Sequence, residues 1–218
     1  LCVNLRVGFE NVVLFERLNF FAYFDPLTRL PNRTRFLDRL DERLPVLARS
    51  GWKLGIIDIV RFSELNDALG HRSGDLLLVE VTRRLQARVG PDALVARVAG
   101  DAFGVCWLPG EGGVGAILDV FAAPFVVRSH SIPMRARAGF VDVTAVPGGA
   151  VELLKRANLA LSRAKQEGDQ HWRFFSIEME ANTQNRVQLL NELRSALHLG
   201  EGLELHYQPQ ISPLRQQV

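Results

Sequence analysis

The sequence predicts an α/β fold in which a mixed sheet is flanked by helices. Three observations carry that expectation. Apolar, strand-like runs alternate with amphipathic helical segments along the 218 residues. Two of the strand signals come as close pairs, which places antiparallel neighbours in the sheet. The order strand, helix, hairpin, helix, strand pair, helix lacks the regular repetition of a doubly wound fold, and no G-x-G-x-x-G opens a helix after a strand.

Taken in order, "ENVVLFERLNFFA" has helical apolar spacing over residues 10–22. Pro26 and Pro31 make "FDPLTRLPNR" a turn, and Asn32 is the expected N-cap of a helix over 33–48. "WKLGIIDIV" (52–60) is apolar and β-branched, the pattern of a buried strand. The next stretch, "RFSELNDALGHRSGD", is polar and broken by glycine, and no element is assigned to it. A helix is expected over 74–89, because Leu77, Leu78, Val81 and Leu85 recur at helical intervals. "RVAGDAFGV" then reads as the turn of a hairpin with strands near 93–98 and 102–108. After a Gly-rich connection at 110–115 come a helix near 114–123 and a strand pair in "PFVVRSHSIPMRARAGFVDVT". A helix over 150–166, a short "WRFFS" strand, a long helix over 178–199 and the start of something new in "LELHYQPQIS" complete the chain.

With 47% hydrophobic and 23% charged residues, the composition is that of an ordinary soluble protein rather than a disordered one. A formal charge of +2 is too small to suggest a polyanion partner. Only Lys53, Lys155 and Lys165 are lysines, and the arginines are scattered, so no nucleic-acid surface is expected. Cys2 and Cys106 make no disulfide framework and have no metal-ligand spacing, which fits the reducing cytoplasm. No apolar run approaches the roughly 20 residues that span a bilayer. The chain lacks an initial Met and stops at Val218 just past a strand-like stretch, so it reads as a piece of a longer protein.

Three groups of residues could carry chemistry. Asp58 ends the first strand and Asp101 sits at the hairpin tip, a pair of hard oxygen ligands suited to Mg²⁺. The bland alternative is a strand-end acid and a turn-favouring acid. Asn66 and Asp75 pair an amide with a carboxylate, a combination able to read a guanine edge. Alternatively, Asn66 serves a turn and Asp75 favours a helix start. Lys165, near the end of a helix, could meet a triphosphate or simply complement the helix dipole.

Together, "FDPLTRLPNRTRF", "IIDIVRFSELNDALGHRSGDLLLVEVTRRL", "RVAGDAF" and "LLKRANLALSRAKQEG" resemble, in order and spacing, the GGDEF family of diguanylate cyclase domains. The resemblance covers roughly residues 20–175. The long helix and "ELRSALHLGEGLELHYQPQIS" resemble the entrance to an EAL domain, a cyclic-di-GMP phosphodiesterase module. The implied organisation is a signalling helix over 1–24, a GGDEF-like domain over 25–176, a linker helix over 177–200 and the start of an EAL domain over 201–218.

The resemblance implies a palm-like core similar to that of adenylyl cyclases. It also implies GTP bound with Mg²⁺, and two facing domains that join two GTP into cyclic di-GMP. By position, Asp58, the Ile59 carbonyl and Asp101 would hold the metal, with Asp101 the surviving catalytic acid. Phe62 would lie on the loop whose backbone covers phosphates, Asn66 and Asp75 would read guanine, and Lys165 would meet phosphate. A homodimer and a C-terminal EAL domain are the implied partners, in a cytoplasmic domain of a parent open to anchoring in the inner membrane.

The signature itself departs from the family. It reads Ala99-Gly100-Asp101-Ala102-Phe103, so a methyl group replaces the glutamate credited with activating the hydroxyl, and Ala99 replaces a glycine able to take positive φ. Asp169 replaces an arginine, Val60 a second acid and Ser63 a basic residue. Gly90 and Ala93 stand where the inhibitory R-x-x-D would. Three readings follow: a GTP-holding regulatory module without cyclase activity, an active cyclase with another base, or a structural domain passing signals between its terminal helices.

Overall fold

The computed structural model describes residues 14–15, 17–144, 148–167, 171–200 and 206. Of the predicted first helix, residues 14–15 and 17–23 are helical, and the remainder lies outside the described residues. The chain divides into two units, 1–179 and 180–218.

Asn32 caps helix α1 (Arg33–Leu47) as expected, its side-chain oxygen accepting from the Arg35 amide at 3.1 Å. Strand β1 (Lys53–Ile59) follows. The polar stretch left unassigned is helical. α2 (Phe62–Leu69) runs to Gly70, and α3 (His71–Val89) begins three residues before the expected start. Phe62 and Leu65, three apart, turn one side of α2 onto the core, while its other side stays polar and exposed. Gly70, at φ 79°, breaks the two helices apart, in a conformation glycine adopts without steric cost.

The hairpin strands are β2 (Leu94–Ala99) and β3 (Ala102–Trp107). A 3₁₀ helix spans Val114–Phe121 where a helix was expected. The expected strand pair is in fact three strands. β4 (Phe125–Val127) and β5 (His130–Ile132) form a sheet of their own, and β6 (Ala136–Asp142) joins the main one. Arg128, at φ 56°, turns the chain between β4 and β5, which the apolar pattern alone could not show. Helix α4 (Gly149–Gln166) and strand β7 (Trp172–Phe174) complete the first unit's layers, and α5 (Ile177–Leu199) follows.

The main sheet has the order β2-β3-β1-β6-β7, antiparallel throughout except for the parallel pair β6 and β7. Strand alternation sends Ile57 and Ile59 to a core beneath α3, where Leu77, Leu78, Val81 and Leu85 are all buried. It sends Leu54 and Ile56 to a second core shared with α1 and α4. Asp58 continues the 54–56 side, so period two alone commits its carboxylate to the α1/α4 face. α4 lies close against β6, since a Cβ on Gly139 would stand 2.1 Å from the Ala157 carbonyl oxygen and the Leu161 amide. Cys106 is buried in that second core, and burial pushes its thiol up to about 12, so it is an inert packing group. Cys2 lies outside the described residues, as do Asp169 and all of the segment 201–218 except residue 206. No helix among the described residues is long and apolar enough to cross a membrane.

Candidate functional site

The acid-bearing site forms where β1 ends beside the hairpin turn. Asp58 is directly opposite Ala102 in the β1–β3 register. Opposed residues share a face, with Cβ atoms about 5 Å apart. The sheet therefore points a methyl group at the place where a glutamate would meet Asp58. α4 delivers Lys165 to the same cleft, its Nζ 2.6 Å from Asp58 Oδ2. Lys165 follows Leu161 by one helical turn, on the stripe that buries Leu154, Ala157 and Leu161. The Arg137 guanidinium donates to the Lys165 carbonyl at 3.2 Å and fixes the last turn.

Asp101 occupies the turn with Gly100, and its carbonyl accepts from the Ile59 amide at 3.3 Å. The Ile59 side chain is buried in the opposite core, so only its backbone can serve the site. Arg33, Asp58, Asp101, Ala102, Asn158 and Lys165 line a cleft of about 320 Å³.

Two residues without an expected role hold the turn. Arg97 donates through Nε and Nη2 to the Gly100 carbonyl at 2.8 and 2.6 Å. Its Nη1 reaches both carboxylate oxygens of Asp25, at 3.1 and 3.0 Å. Asp25 Oδ1 also accepts from the Thr28 amide and hydroxyl, each at 2.7 Å. Burial pushes the Asp25 carboxyl up, but the Thr28 hydrogen bonds and Arg97 outweigh it and leave the pKa below the ordinary value. The Asp-x-x-Thr spacing in "DPLT" was the available signal, an acid able to bond backbone and hydroxyl three residues on. Ala99 is absent from the described residues with positive φ, and so is Gly100, so the turn does not require glycine at position 99. A bulge between Arg97 and Ala99 takes up the geometry instead.

The second cluster lies between α2 and α3 and does not line that cleft. The buried side-chain oxygen of Asn66 has no hydrogen-bond partner. It would stand 1.9 Å from a Cβ on Gly74, and the Phe62 ring 3.1 Å from the same point. Glycine thus lets α3 press onto the Asn66 amide, and the next residue, Asp75, is exposed. Phe62 begins α2 rather than lying on a loop, so the backbone amides there are first-turn helix amides without intrahelical partners.

The structure therefore sorts the expected residues into two groups. Asp58, Asp101 and Lys165 meet in the cleft, while Phe62, Asn66 and Asp75 belong to the helix pair. Gly90 and Ala93 line a separate cleft of about 520 Å³ and bring no charge to it.

The Mg²⁺ implied by the family would be held by the Asp58 and Asp101 carboxylates, which line one cleft, and by the Ile59 carbonyl. The Ala102 side chain adds no oxygen to them, and Lys165 Nζ lies 2.6 Å from Asp58 Oδ2. One or two carboxylates, completed by water and substrate phosphates, are an ordinary set for that cation.

Residues 22–171 match the model of the family described as diguanylate cyclase, GGDEF domain. The chain belongs to this family. It is 34% identical over 200 residues to the bifunctional diguanylate cyclase/cyclic di-GMP phosphodiesterase MucR of Pseudomonas aeruginosa, covering 87% of this chain and 29% of MucR. It is 33% identical over 174 residues to the diguanylate cyclase TpbB of the same species, covering 74% and 38%. The solved GGDEF domain of TpbB superposes with a TM-score of 0.66 at 29% identity, over 74% of this chain and 99% of that one. A sensory box/GGDEF family protein from Caulobacter crescentus gives 0.60 at 32% identity, over 67% and 99%. The fold is the palm-like fold of cyclase domains, and the domain is one of cyclic-di-GMP signalling. The chain spans well under half the length of these two curated relatives.

Proposed function

We propose that this domain holds GTP and does not condense it, acting as a regulatory unit within a larger cyclic-di-GMP signalling protein. One observation carries the reading: the register sets Ala102 opposite Asp58, so the strand face presents no proton acceptor beside the remaining carboxylate. Joining two GTP requires a group that takes the proton of the attacking 3′-hydroxyl. Loss of a general base costs about 10²–10⁴ in rate. Asp101 stands on the turn, outside the β1–β3 register that opposes Asp58 and Ala102.

Recognition groups persist by contrast. The exposed Asp75 carboxylate can accept from the two adjacent N–H donors of guanine, and the unpaired Asn66 amide is poised at the same helix crossing. The first-turn amides of α2, beginning at Phe62, can donate to phosphate oxygens. An EAL domain after residue 200 is the expected beneficiary, in a homodimer or otherwise. The bifunctional name of MucR and the EAL-like "ELRSALHLGEGLELHYQPQIS" support it.

Calorimetric titration of the chain with GTP and ATP, with chromatography of a long GTP incubation, tests the reading. GTP should bind in preference to ATP, with no cyclic di-GMP formed. Asp75→Asn should weaken GTP by about 10–100-fold, the worth of a charge-assisted hydrogen bond, and leave the melting temperature unchanged. Absence of GTP binding, or turnover at the rate of an intact cyclase, ends the proposal.

A further inference from the structure

We infer that three arginines, Arg61, Arg135 and Arg137, receive the outer phosphates of the bound nucleotide, so that this domain tells GTP from GMP by phosphate number. The inference rests on the nucleotide-holding reading above and names what grips the end of the ligand away from the base. Its ground is a further cleft at the same end of the sheet as the acid site. This cleft, of about 1140 Å³, is lined by Val60, Arg61 and Glu64 where β1 passes into α2, and by Arg135 and Arg137 at the start of β6.

Strand register brings the arginines up to the acid site. Asp58 is opposite Ala102 on β3 and opposite Arg137 on β6, so the three side chains form one row on one face of the sheet. Arg137 is half-buried, and its Nη1 donates to the Lys165 carbonyl at 3.2 Å, which uses one of its five donors. The Arg135 carbonyl accepts from the Val60 amide at 2.9 Å and ties this wall of the cleft to the end of β1. Its guanidinium is exposed and has no hydrogen bond or ion pair among the described residues. Arg61 lies 3.7 Å from Glu64, but both side chains are well exposed, and such a pair holds its partners weakly. Three guanidinium groups thus meet one carboxylate in the described lining. Asp169, two places before His171 of the same lining, would still leave the arginines in excess. A guanidinium fork matches phosphate oxygens in geometry as well as in charge. A nucleotide whose phosphates meet the start of α2 therefore runs beside Arg61 into a cleft that Arg135 and Arg137 also line.

Calorimetric titrations of the chain with GTP, GDP and GMP in excess Mg²⁺ test it. Affinity should rise with each phosphate, and GTP should bind at least about 100-fold more tightly than GMP. Arg137→Gln keeps a donor for the Lys165 carbonyl and removes the charge. It should weaken GTP by about tenfold, leave GMP within about twofold and keep the melting temperature. Arg135→Gln, at an exposed residue, should act in the same direction, and it carries the test if the Arg137 variant melts early. With both replaced, the preference for GTP over GMP should shrink by about 100-fold and the loss of GTP affinity in added salt should become shallower. Equal affinity of the parent chain for GTP and GMP would overturn the inference, as would an unchanged preference in the double variant. Loss of GTP and GMP binding by the same factor would also overturn it, since the arginines would then only support the fold. If the parent chain binds none of the three nucleotides, the nucleotide-holding reading itself fails and takes this inference with it, a result distinct from binding that ignores phosphate number.

Discussion

The hairpin carrying Asp101 and the helix pair carrying Asn66 and Asp75 have diverged from the family pattern in opposite ways. In the hairpin the frame is complete and, on the proposed reading, the proton acceptor is missing. Arg97, Asp25 and Thr28 hold the turn by direct hydrogen bonds, yet the strand face beyond it ends in a methyl group. In the helix pair the proposed recognition groups are present, and one buried amide oxygen is left without a partner. A buried acceptor without a donor costs about 1–3 kcal/mol. Such a cost persists where something else can supply the donor. On the proposed reading, holding a substrate and transforming it fall to different elements, so that one can be lost while the other stays.

The contrast breaks most severely at Gly74. A Cβ there would collide with Asn66 at 1.9 Å and crowd the Phe62 ring at 3.1 Å. Gly74→Val should cost about 3 kcal/mol of stability through overpacking. It should also reduce GTP affinity by more than about 100-fold as α3 is pushed off α2. Melting curves and calorimetry check both. A variant that still binds GTP normally would show that the helix crossing is not the recognition site.

The hairpin frame answers to pH. The Asp25 pKa is lowered in the folded chain, so its contribution is present above the unfolded carboxylate pKa and is lost as pH falls through the folded one. Asp25→Asn should therefore lower the melting temperature at neutral pH, for a loss of about 1–3 kcal/mol typical of a partly buried charged hydrogen bond. At pH 3 the gap from the parent chain should narrow, since the parent is then losing the same charge. A gap that does not change between the two pH values would mean that the Arg97 pair adds nothing to the turn.

These effects also mark what could be read from the residues alone. The sheet strands and α3 were legible because long apolar periodicities survive burial on both faces, as in "WKLGIIDIV" and the Leu77–Leu85 stripe. α2 was not, because an eight-residue helix that buries only one side shows little beyond polar residues and a glycine. The separate β4–β5 sheet depends on Arg128 adopting φ 56°, which no pattern of hydrophobicity reports. Within the site, Asp58 and Ala102 could be named by position, but their being opposed is a matter of strand register. The Asp58–Lys165 ion pair joins residues 107 positions apart and needed the packing of α4 on β6 to become visible.

The smallest effect sharpens the comparison furthest. The signature differs from the family at position 99 as well as at 102, and a lost glycine in a tight turn suggests a distorted backbone. Ala99 is exposed, pairs with Ala102 across the turn and has no positive φ, so its Cβ does not strain the backbone there. Ala99→Gly should therefore release no strain. It should cost up to about 1 kcal/mol, because glycine loses more backbone freedom on folding than alanine. GTP affinity should not change, and no cyclic di-GMP should appear. Chemical denaturation resolves a difference of this size. If Ala99→Gly instead raised stability or allowed turnover, the hairpin frame would be the damaged part, and the methyl at position 102 would no longer carry the proposal.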